Sequence, residues 1–216
     1  VTAQCLKIAK EDILTASTGV IGVYMPMDRM ISGIQAAAPL LSPQGSDDAA
    51  AAIMTTDLFK KQVAVQIEIG GKTVKIGAIA KGSGMIHPNM ATMLAFIATD
   101  AAISTACLQK LIKSSSNISF NMISVDRDTS TNDMAVIMAN GLAGNPVIDD
   151  PNSQAFEQFK DALDYINITL AKKIARDGEG ASHLIEVKVI NAADEKTART
   201  IARSITGSNL TKAAVF

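Results

Sequence analysis

Residues 63–80, VAVQIEIGGKTVKIGAIA, set the architecture that we expect for this chain. Apolar and polar side chains alternate on both sides of Gly70-Gly71, which is the period of a β-strand with one buried face. A two-residue glycine turn between two such runs is typical of a β-hairpin, because glycine readily takes the positive φ angles of that turn. The stretch therefore predicts two antiparallel strands.

Helical and strand patterns alternate irregularly on either side of this hairpin. Further strands are predicted at residues 94–100, 118–126, 134–140 and 184–190. Helices are predicted from residue 27 to near Pro39, after a cap at Asp47 or Asp48, after a cap at Ser104, over about 152–175, and from Asp194 to the residue before Gly207. Hairpins with helices grouped between them favour an α+β fold, a layered sandwich of mixed or antiparallel sheets flanked by helices, over a doubly wound parallel sheet.

The helix predicted over about 152–175 has the clearest periodicity. Its large apolar residues recur at intervals of three and four, which places them on one face of a helix. We expect that face to pack against the sheet. The residues are Phe156, Phe159, Leu163, Ile166, Leu170 and Ile174.

The composition is that of a folded globular protein and argues against several classes of partner. The formal net charge is -1 and no basic stripe is present, so nucleic acid is not expected as a partner. No apolar run is long enough to span a bilayer, so no membrane partner is expected either. The two cysteines and two histidines lie far apart, and we expect no metal site.

Two stretches resemble binding motifs but lack essential residues. Gly71-Lys72-Thr73 is similar to the end of a phosphate-binding loop, yet Gln66 stands where the leading glycine is required. The loop from Asp126 has the acidic spacing of a calcium loop but lacks the Gly and Glu that such a loop needs. We expect neither to bind its ligand.

One segment is hard to explain as packing alone: residues 81–94, KGSGMIHPNMATML. Glycines, a proline and an asparagine interrupt an otherwise apolar run between two predicted strands. A loop that enters a buried strand with a small hydroxyl residue at the junction suits a nucleophile, here Thr92. On composition alone, however, an ordinary connection between strands is the better explanation.

The same segment closely resembles the processing segment of the ornithine acetyltransferase (glutamate N-acetyltransferase) family, whose precursors cleave themselves between an Ala and a Thr. Four more motifs match that family in the same order along the chain. They are STGVIG at residues 17–22 followed by Pro26-Met27-Asp28, MTTD at 54–57, DTSTND at 128–133 and DGEGA at 177–181. The resemblance implies the fold that this family shares with N-terminal-nucleophile aminopeptidases.

The resemblance also implies a cleavage site between Ala91 and Thr92. Residues 1–91 would then be the C-terminal part of an α chain and residues 92–216 the N-terminal part of a β chain, both forming one catalytic core. Thr92 is the implied nucleophile. The Thr18 hydroxyl and the Gly19 backbone amide are the implied oxyanion hole.

Thr55, Lys81, Thr92 and Glu179 fall on the family's substrate-binding positions. Because an amino-acid substrate carries both charges, we expect Lys81 to bind its carboxylate and Glu179 an amino group. The loop from Asp128 to Asp133 is expected to be a structural network of Asx-type turns near the site.

The implied activity is a ping-pong transfer of an acetyl group from N-acetylornithine to glutamate through acetyl-Thr92. No cofactor is implied, and acetyl-CoA as a second donor stays open. The implied assembly is an α2β2 heterotetramer of the two fragments, in the cytoplasm or in a mitochondrial matrix. The alternatives are a hydrolase of the N-terminal-nucleophile aminopeptidase type, with water as acceptor, and a non-catalytic binding module.

Two departures from the family are visible. Arg127 stands where family members usually have glycine, which brings the geometry of that loop into question. The family's chain is also longer at both ends, so we expect further substrate-binding residues beyond Phe216.

Overall fold

The computed structural model describes residues 1–87 and 93–215, in two compact units, Val1–Ala49 and Ala50–Phe216. The first unit contains helix α1 (Thr2–Leu6), a 3-10 turn at Lys10–Asp12, helix α2 (Met27–Ala37) and a 3-10 turn at Ala38–Leu40. Helix α3 (Ser46–Ala52) begins in this unit and ends in the second. The predicted helix from residue 27 is thus confirmed. The predicted cap at Asp47 or Asp48 is wrong, because the helix already begins at Ser46. Both aspartates lie inside its first turn, where acidic side chains favour the positive end of the helix dipole.

The second unit is an α+β structure built on one four-stranded mixed sheet. Its strands are β1 (Lys61–Ile69), β2 (Lys72–Lys81), β3 (Leu94–Thr99) and β4 (Met134–Ala139), in the order β1-β2-β3-β4. β2 runs antiparallel to both β1 and β3, and β4 runs parallel to β3. The helices are α4 (Thr105–Ile118), α5 (Gln154–Arg176), α6 (Glu195–Thr206) and α7 (Asn209–Val215).

The β1–β2 hairpin forms as the sequence predicts. Ile69 pairs with Lys72 across the turn, and Gly70 and Gly71 have φ angles of 58° and 74°. Positive φ at both central residues is the geometry that matches the twist of the flanking strands. Alternate residues of β2 are buried, which orients one face of the hairpin to the core: Val74, Ile76, Ala78 and Ala80.

Helix α5 packs against β1 and β2, and α4 packs against α5 and β4. All six apolar residues predicted to line the inner face of α5 are buried. The predicted cap at Ser104 is present, because Ser104 Oγ accepts the amide hydrogen of Cys107 at 3.3 Å. The helix expected from Asp194 is α6, and Asp194 Oδ1 accepts the amide hydrogen of Thr197 at 2.6 Å. Helix α6 ends at Thr206, immediately before Gly207, as expected.

Two predicted strands are wrong. Residues 118–126 contain the end of α4, a 3-10 turn at Phe120–Met122 and an irregular segment. Residues 184–190 are also outside any strand, although half-buried and exposed side chains alternate from Ile185 to Ile190. Alternation reports only which face of an extended chain is apolar, whereas a strand also requires a hydrogen-bonded neighbour.

None of the helices formed by residues 1–87 and 93–215 is long and apolar enough to cross a membrane.

Candidate active site

The candidate site lies where β2 ends, at Lys81. This side chain is almost fully buried, and its ammonium donates a hydrogen bond to the Thr55 hydroxyl at 2.8 Å. It forms no ion pair with any residue that the structure describes. Burial lowers the pKa of Lys81, although the carboxylate of Asp57 acts in the opposite direction. A charged amine is thus held in a dehydrated position with hydrogen-bond donors to spare.

Glu179 belongs to the same site. Its backbone amide donates to the carbonyl of Ser83 at 3.3 Å, and its carboxylate lies against Gly84, where an added Cβ would come within 2.6 Å of the carboxyl carbon. The charge of Glu179 is also among those that raise the pKa of Lys81. The structure therefore brings together Thr55, Lys81 and Glu179, which are separated along the chain.

A buried ion-pair network joins the segments that carry two of these three residues. The ammonium of Lys61 lies 2.6 Å from Oδ1 of Asp57 and 2.5 Å from Oδ2 of Asp177, and all three side chains are fully buried. Asp177 also accepts the amide hydrogen of Leu58 at 3.0 Å. The network joins the loop before β1, the first residue of β1 and the residue that follows α5.

Asp57 fixes the backbone around the predicted binding residues. Its carboxylate accepts the amide hydrogens of Gly82 at 2.7 Å and Thr55 at 3.1 Å. Burial raises the pKa of Asp57, but these amides and the Lys61 ammonium together outweigh burial and bring the pKa below its ordinary value. Asp57 is therefore ionised at neutral pH and holds Thr55 next to the end of β2.

The loop between Asp126 and Asp133 contacts the candidate processing segment, residues 81–94, at two places. Asp126 accepts the amide hydrogens of Met85 at 2.5 Å and Ile86 at 2.9 Å. Asp133 accepts the amide hydrogen of Met93 at 2.7 Å. Burial raises the pKa of Asp133 to about 6, against the weaker opposing effect of that hydrogen bond.

The expected turns are present in this loop. The amide of Asp128 donates to the Asp126 side chain at 3.0 Å, and that of Asn132 to the Ser130 hydroxyl at 3.1 Å. Between the two aspartates of the first turn lies Arg127, with a φ of 69°, in the left-handed region that favours glycine. Glycine, the residue usual in the family, would adopt this φ angle without a steric penalty.

Several predicted site residues remain without a structural test. Ala91 and Thr92 lie outside the described residues. Thr18 and Gly19 belong to the first unit, in the irregular segment before α2, where Thr18 is half-buried and Gly19 is exposed. Their assignment to an oxyanion hole stays a prediction.

Sequence reasoning missed the residues that support the site. Lys61 was not singled out, and Asp57, Asp126 and Asp177 entered only as members of motifs or loops. One partial indication was present in the sequence. Asp57 is the last residue of the MTTD motif and Asp177 is the first residue of the DGEGA motif. Nothing local to either motif indicates that both contact the same lysine.

An apolar cavity of about 340 Å³ lies apart from these residues. Its lining includes Ile123, Ala171, Leu184 and Val187, and none of the predicted site residues. In the described part of the chain, no group of three or more His, Cys, Asp or Glu side chains is placed to hold a metal ion.

The fold and the site define an α+β protein in which a buried lysine lies at the end of a central strand, with a glutamate nearby. The sequence model of the ArgJ family matches residues 1–216. The chain belongs to the ArgJ family.

Relatives and a solved structure agree with this assignment. The chain is 61% identical over 214 residues to the "Arginine biosynthesis bifunctional protein ArgJ" of Symbiobacterium thermophilum, covering 99% of this chain and 53% of that protein. It is 54% identical to the protein of the same name from Caldanaerobacter subterraneus subsp. tengcongensis, with the same coverage. The chain thus spans about half the length of the curated relatives it matches.

The crystal structure of the arginine biosynthesis bifunctional protein from Bacillus halodurans is 49% identical to this chain. The two superpose with a TM-score of 0.54 over 56% of each chain. The predicted α+β fold, of the type found in that family, is confirmed.

Proposed function

We propose that this chain is the catalytic core of an acetyltransferase that cleaves itself between Ala91 and Thr92 and then transfers an acetyl group from N-acetylornithine to glutamate. The observation that carries the proposal is the buried ammonium of Lys81, which no described carboxylate pairs with. A buried charge without a counter-ion is costly, so such a position suits a site that a ligand carboxylate completes. N-acetylornithine, ornithine and glutamate all carry an α-carboxylate.

The first reaction is the cleavage of the precursor. The hydroxyl oxygen of Thr92 attacks the carbonyl carbon of Ala91, the peptide C–N bond breaks, and an ester forms. Water then hydrolyses the ester, which leaves a carboxylate on Ala91 and a free α-amine on Thr92. An α-amine has an ordinary pKa of about 7.7–8.0, so part of it is neutral near neutral pH and takes the proton of the Thr92 hydroxyl.

The second reaction is the acetyl transfer. The activated hydroxyl of Thr92 attacks the acetyl carbonyl of N-acetylornithine, the amide C–N bond breaks, and ornithine leaves with its amine protonated. The neutral amine of glutamate then attacks the carbonyl of acetyl-Thr92, the ester C–O bond breaks, and the Thr92 hydroxyl is regenerated with a proton from that amine. The Thr18 hydroxyl and the Gly19 amide donate hydrogen bonds to the negative oxygen that develops in both steps. Lys81 binds the α-carboxylate and Glu179 an amino group, so opposite charges orient the substrate.

Further features belong to the same proposal. The relatives are named bifunctional, and this supports acetyl-CoA as a second acetyl donor for glutamate. The two fragments stay together as an α2β2 heterotetramer, and the reaction takes place in the cytoplasm.

Isotope exchange tests the proposal in the complete product of the gene. With N-acetylornithine and labelled ornithine but no glutamate, a ping-pong enzyme places the label in N-acetylornithine, because acetyl-Thr92 forms before glutamate binds. Subsequent addition of glutamate should yield N-acetylglutamate. Release of acetate without exchange would favour the hydrolase, and an intact Ala91–Thr92 bond without activity would favour a binding module.

A further inference from the structure

The loop from Asp126 to Asp133 holds the backbone on both sides of residues 88–92. On the N-terminal side, Asp126 binds the amides of Met85 and Ile86, and the Thr129 hydroxyl donates to the carbonyl of His87 at 3.3 Å. On the C-terminal side, Asp133 binds the amide of Met93. Residues far apart in sequence thereby fix the two flanks of the segment that contains Ala91 and Thr92.

The hydrogen bond between Asp133 and Met93 lies next to the first paired residues of β3 and β4. β3 and β4 are parallel, with Leu94 opposite Met134, and the amide of Met134 donates to the carbonyl of Met93 at 3.0 Å. The Asp133 carboxylate accepts the amide hydrogen of Met93 at 2.7 Å, one residue before the β3–β4 pairing begins. Because a peptide unit is planar, a fixed amide at Met93 also limits where the preceding α-carbon can lie.

The second carboxylate oxygen of Asp133 points to more than a structural role. Oδ2 is buried and has no hydrogen-bond partner among the described residues. An unsatisfied buried oxygen of this kind costs about 1–3 kcal/mol, so its presence calls for an explanation. An asparagine oxygen would satisfy the same amide with a smaller desolvation cost than a carboxylate has.

We propose that Asp133 is a positioning residue for the Thr92 nucleophile, because its carboxylate fixes the peptide that joins residue 92 to β3. Asp126 holds the backbone of Met85 and Ile86 on the opposite flank of the segment. This inference rests on the proposed function, since it concerns the same nucleophile. It predicts that loss of the Asp133 acceptor lowers the rates of cleavage and of acetyl transfer, while substrate binding at Lys81 is unchanged.

Three variants of the complete gene product test the inference. Asp133→Ala removes the acceptor, and we expect a loss of about 10²-fold in cleavage rate, the size expected for a nucleophile displaced by about an ångström. Asp133→Asn keeps an oxygen that accepts from Met93 and should cleave within about ten-fold of the wild type. Asp100→Ala is the matched control, because Asp100 binds the amide of Lys75 at the same 2.7 Å but away from the segment.

Cleavage is followed by cell-free synthesis and denaturing electrophoresis, and kcat and KM for N-acetylornithine are measured on the cleaved fraction. We expect Asp133→Ala to lower kcat with an unchanged KM, and Asp100→Ala to match the wild type in both. If Asp133→Ala does not fold, Asp133→Ser replaces it, because the serine oxygen is too short to reach the Met93 amide.

The inference is overturned if Asp133→Ala or Asp133→Ser cleaves as fast as Asp100→Ala, or if Asp133→Asn is as slow as the alanine variant. A wild-type protein that neither cleaves nor transfers acetyl groups would instead contradict the proposed function. The two failures are therefore distinguishable.

Discussion

The ammonium of Lys61 lies 2.5 Å from a carboxylate oxygen of Asp177, across 116 positions of sequence. Asp57 binds the same ammonium from the other side at 2.6 Å. A lysine between two aspartates, all without exposed surface, joins three segments that carry the candidate binding residues. Both buried carboxylates share this one ammonium, so its removal would leave two negative charges buried without the cation that they share.

Lys61→Met should therefore destabilise the protein strongly. It leaves two buried carboxylates without their cation, and breaking a buried ion pair in this way costs about 3–5 kcal/mol. Lys172→Met is the control, because Lys172 pairs with Glu186 at 3.0 Å on the surface, where a pair contributes about 0–1 kcal/mol. Urea unfolding of both variants measures the difference, and equal losses would contradict the prediction.

The pH dependence of stability should show the titration of Asp133. Its pKa is raised by burial from the ordinary 3.8 to about 6, so between these values the folded state binds more protons than the unfolded state. The stability of the wild type relative to Asp133→Asn should therefore fall as the pH rises from about 4 to about 6, and then stay level. Urea unfolding of both proteins at several pH values measures this, and a difference that grows with pH would contradict it.

Arg127→Gly should leave the loop intact and stabilise it slightly. Arg127 has a φ of 69°, which costs a residue with a side chain about 1–2 kcal/mol, while glycine adds about 0.4–1 kcal/mol of unfolded-state entropy. The net expectation is a gain of up to about 1 kcal/mol in the free energy of unfolding, with normal cleavage. The same change at Arg199, inside α6, should destabilise by about 1 kcal/mol, because glycine disfavours helix.

The local parts of the fold were predictable from sequence, and the reason is periodicity. Apolar residues recur every second position in the hairpin and every third or fourth position in α5. These intervals indicate directly which side chains are buried. The strand predicted at residues 184–190 failed because alternation is only half of the requirement. Its side chains alternate in exposure, yet the described residues provide no neighbouring strand for it.

The residues of the candidate site were also predictable only in part. Thr55, Lys81 and Glu179 were identified by resemblance, and the structure places them together around the end of β2. The network of Lys61 with Asp57 and Asp177 was not predicted, because ion pairs between distant segments leave no periodic trace in a sequence. The resemblance pointed to the residues that we propose to bind the substrate rather than to those that hold them in place.

Substitution of the proposed nucleophile should separate cleavage from folding. Thr92→Ala removes the hydroxyl that both reactions need, so the complete gene product should stay whole and inactive. Thr92→Ser keeps a hydroxyl and should cleave more slowly than the wild type. Intact mass and N-terminal sequencing measure this: the second fragment should begin Thr-Met-Leu. A fully cleaved, active alanine variant would rule out Thr92.

Steady-state kinetics should separate the oxyanion hole from the substrate pocket. If the Thr18 hydroxyl stabilises the negative oxygen, Thr18→Val should lower kcat by roughly 10²–10³ with little change in KM for N-acetylornithine, because that hydrogen bond forms mainly in the transition state. Lys81→Met should instead raise KM strongly, since the substrate carboxylate loses its charged partner. Lys75→Met, a change of the same kind at an exposed lysine of β2, is the control and should alter neither constant. A Thr18→Val enzyme with a changed KM and a normal kcat would make Thr18 a binding residue, because an interaction that the ground state makes equally well cannot accelerate the chemical step.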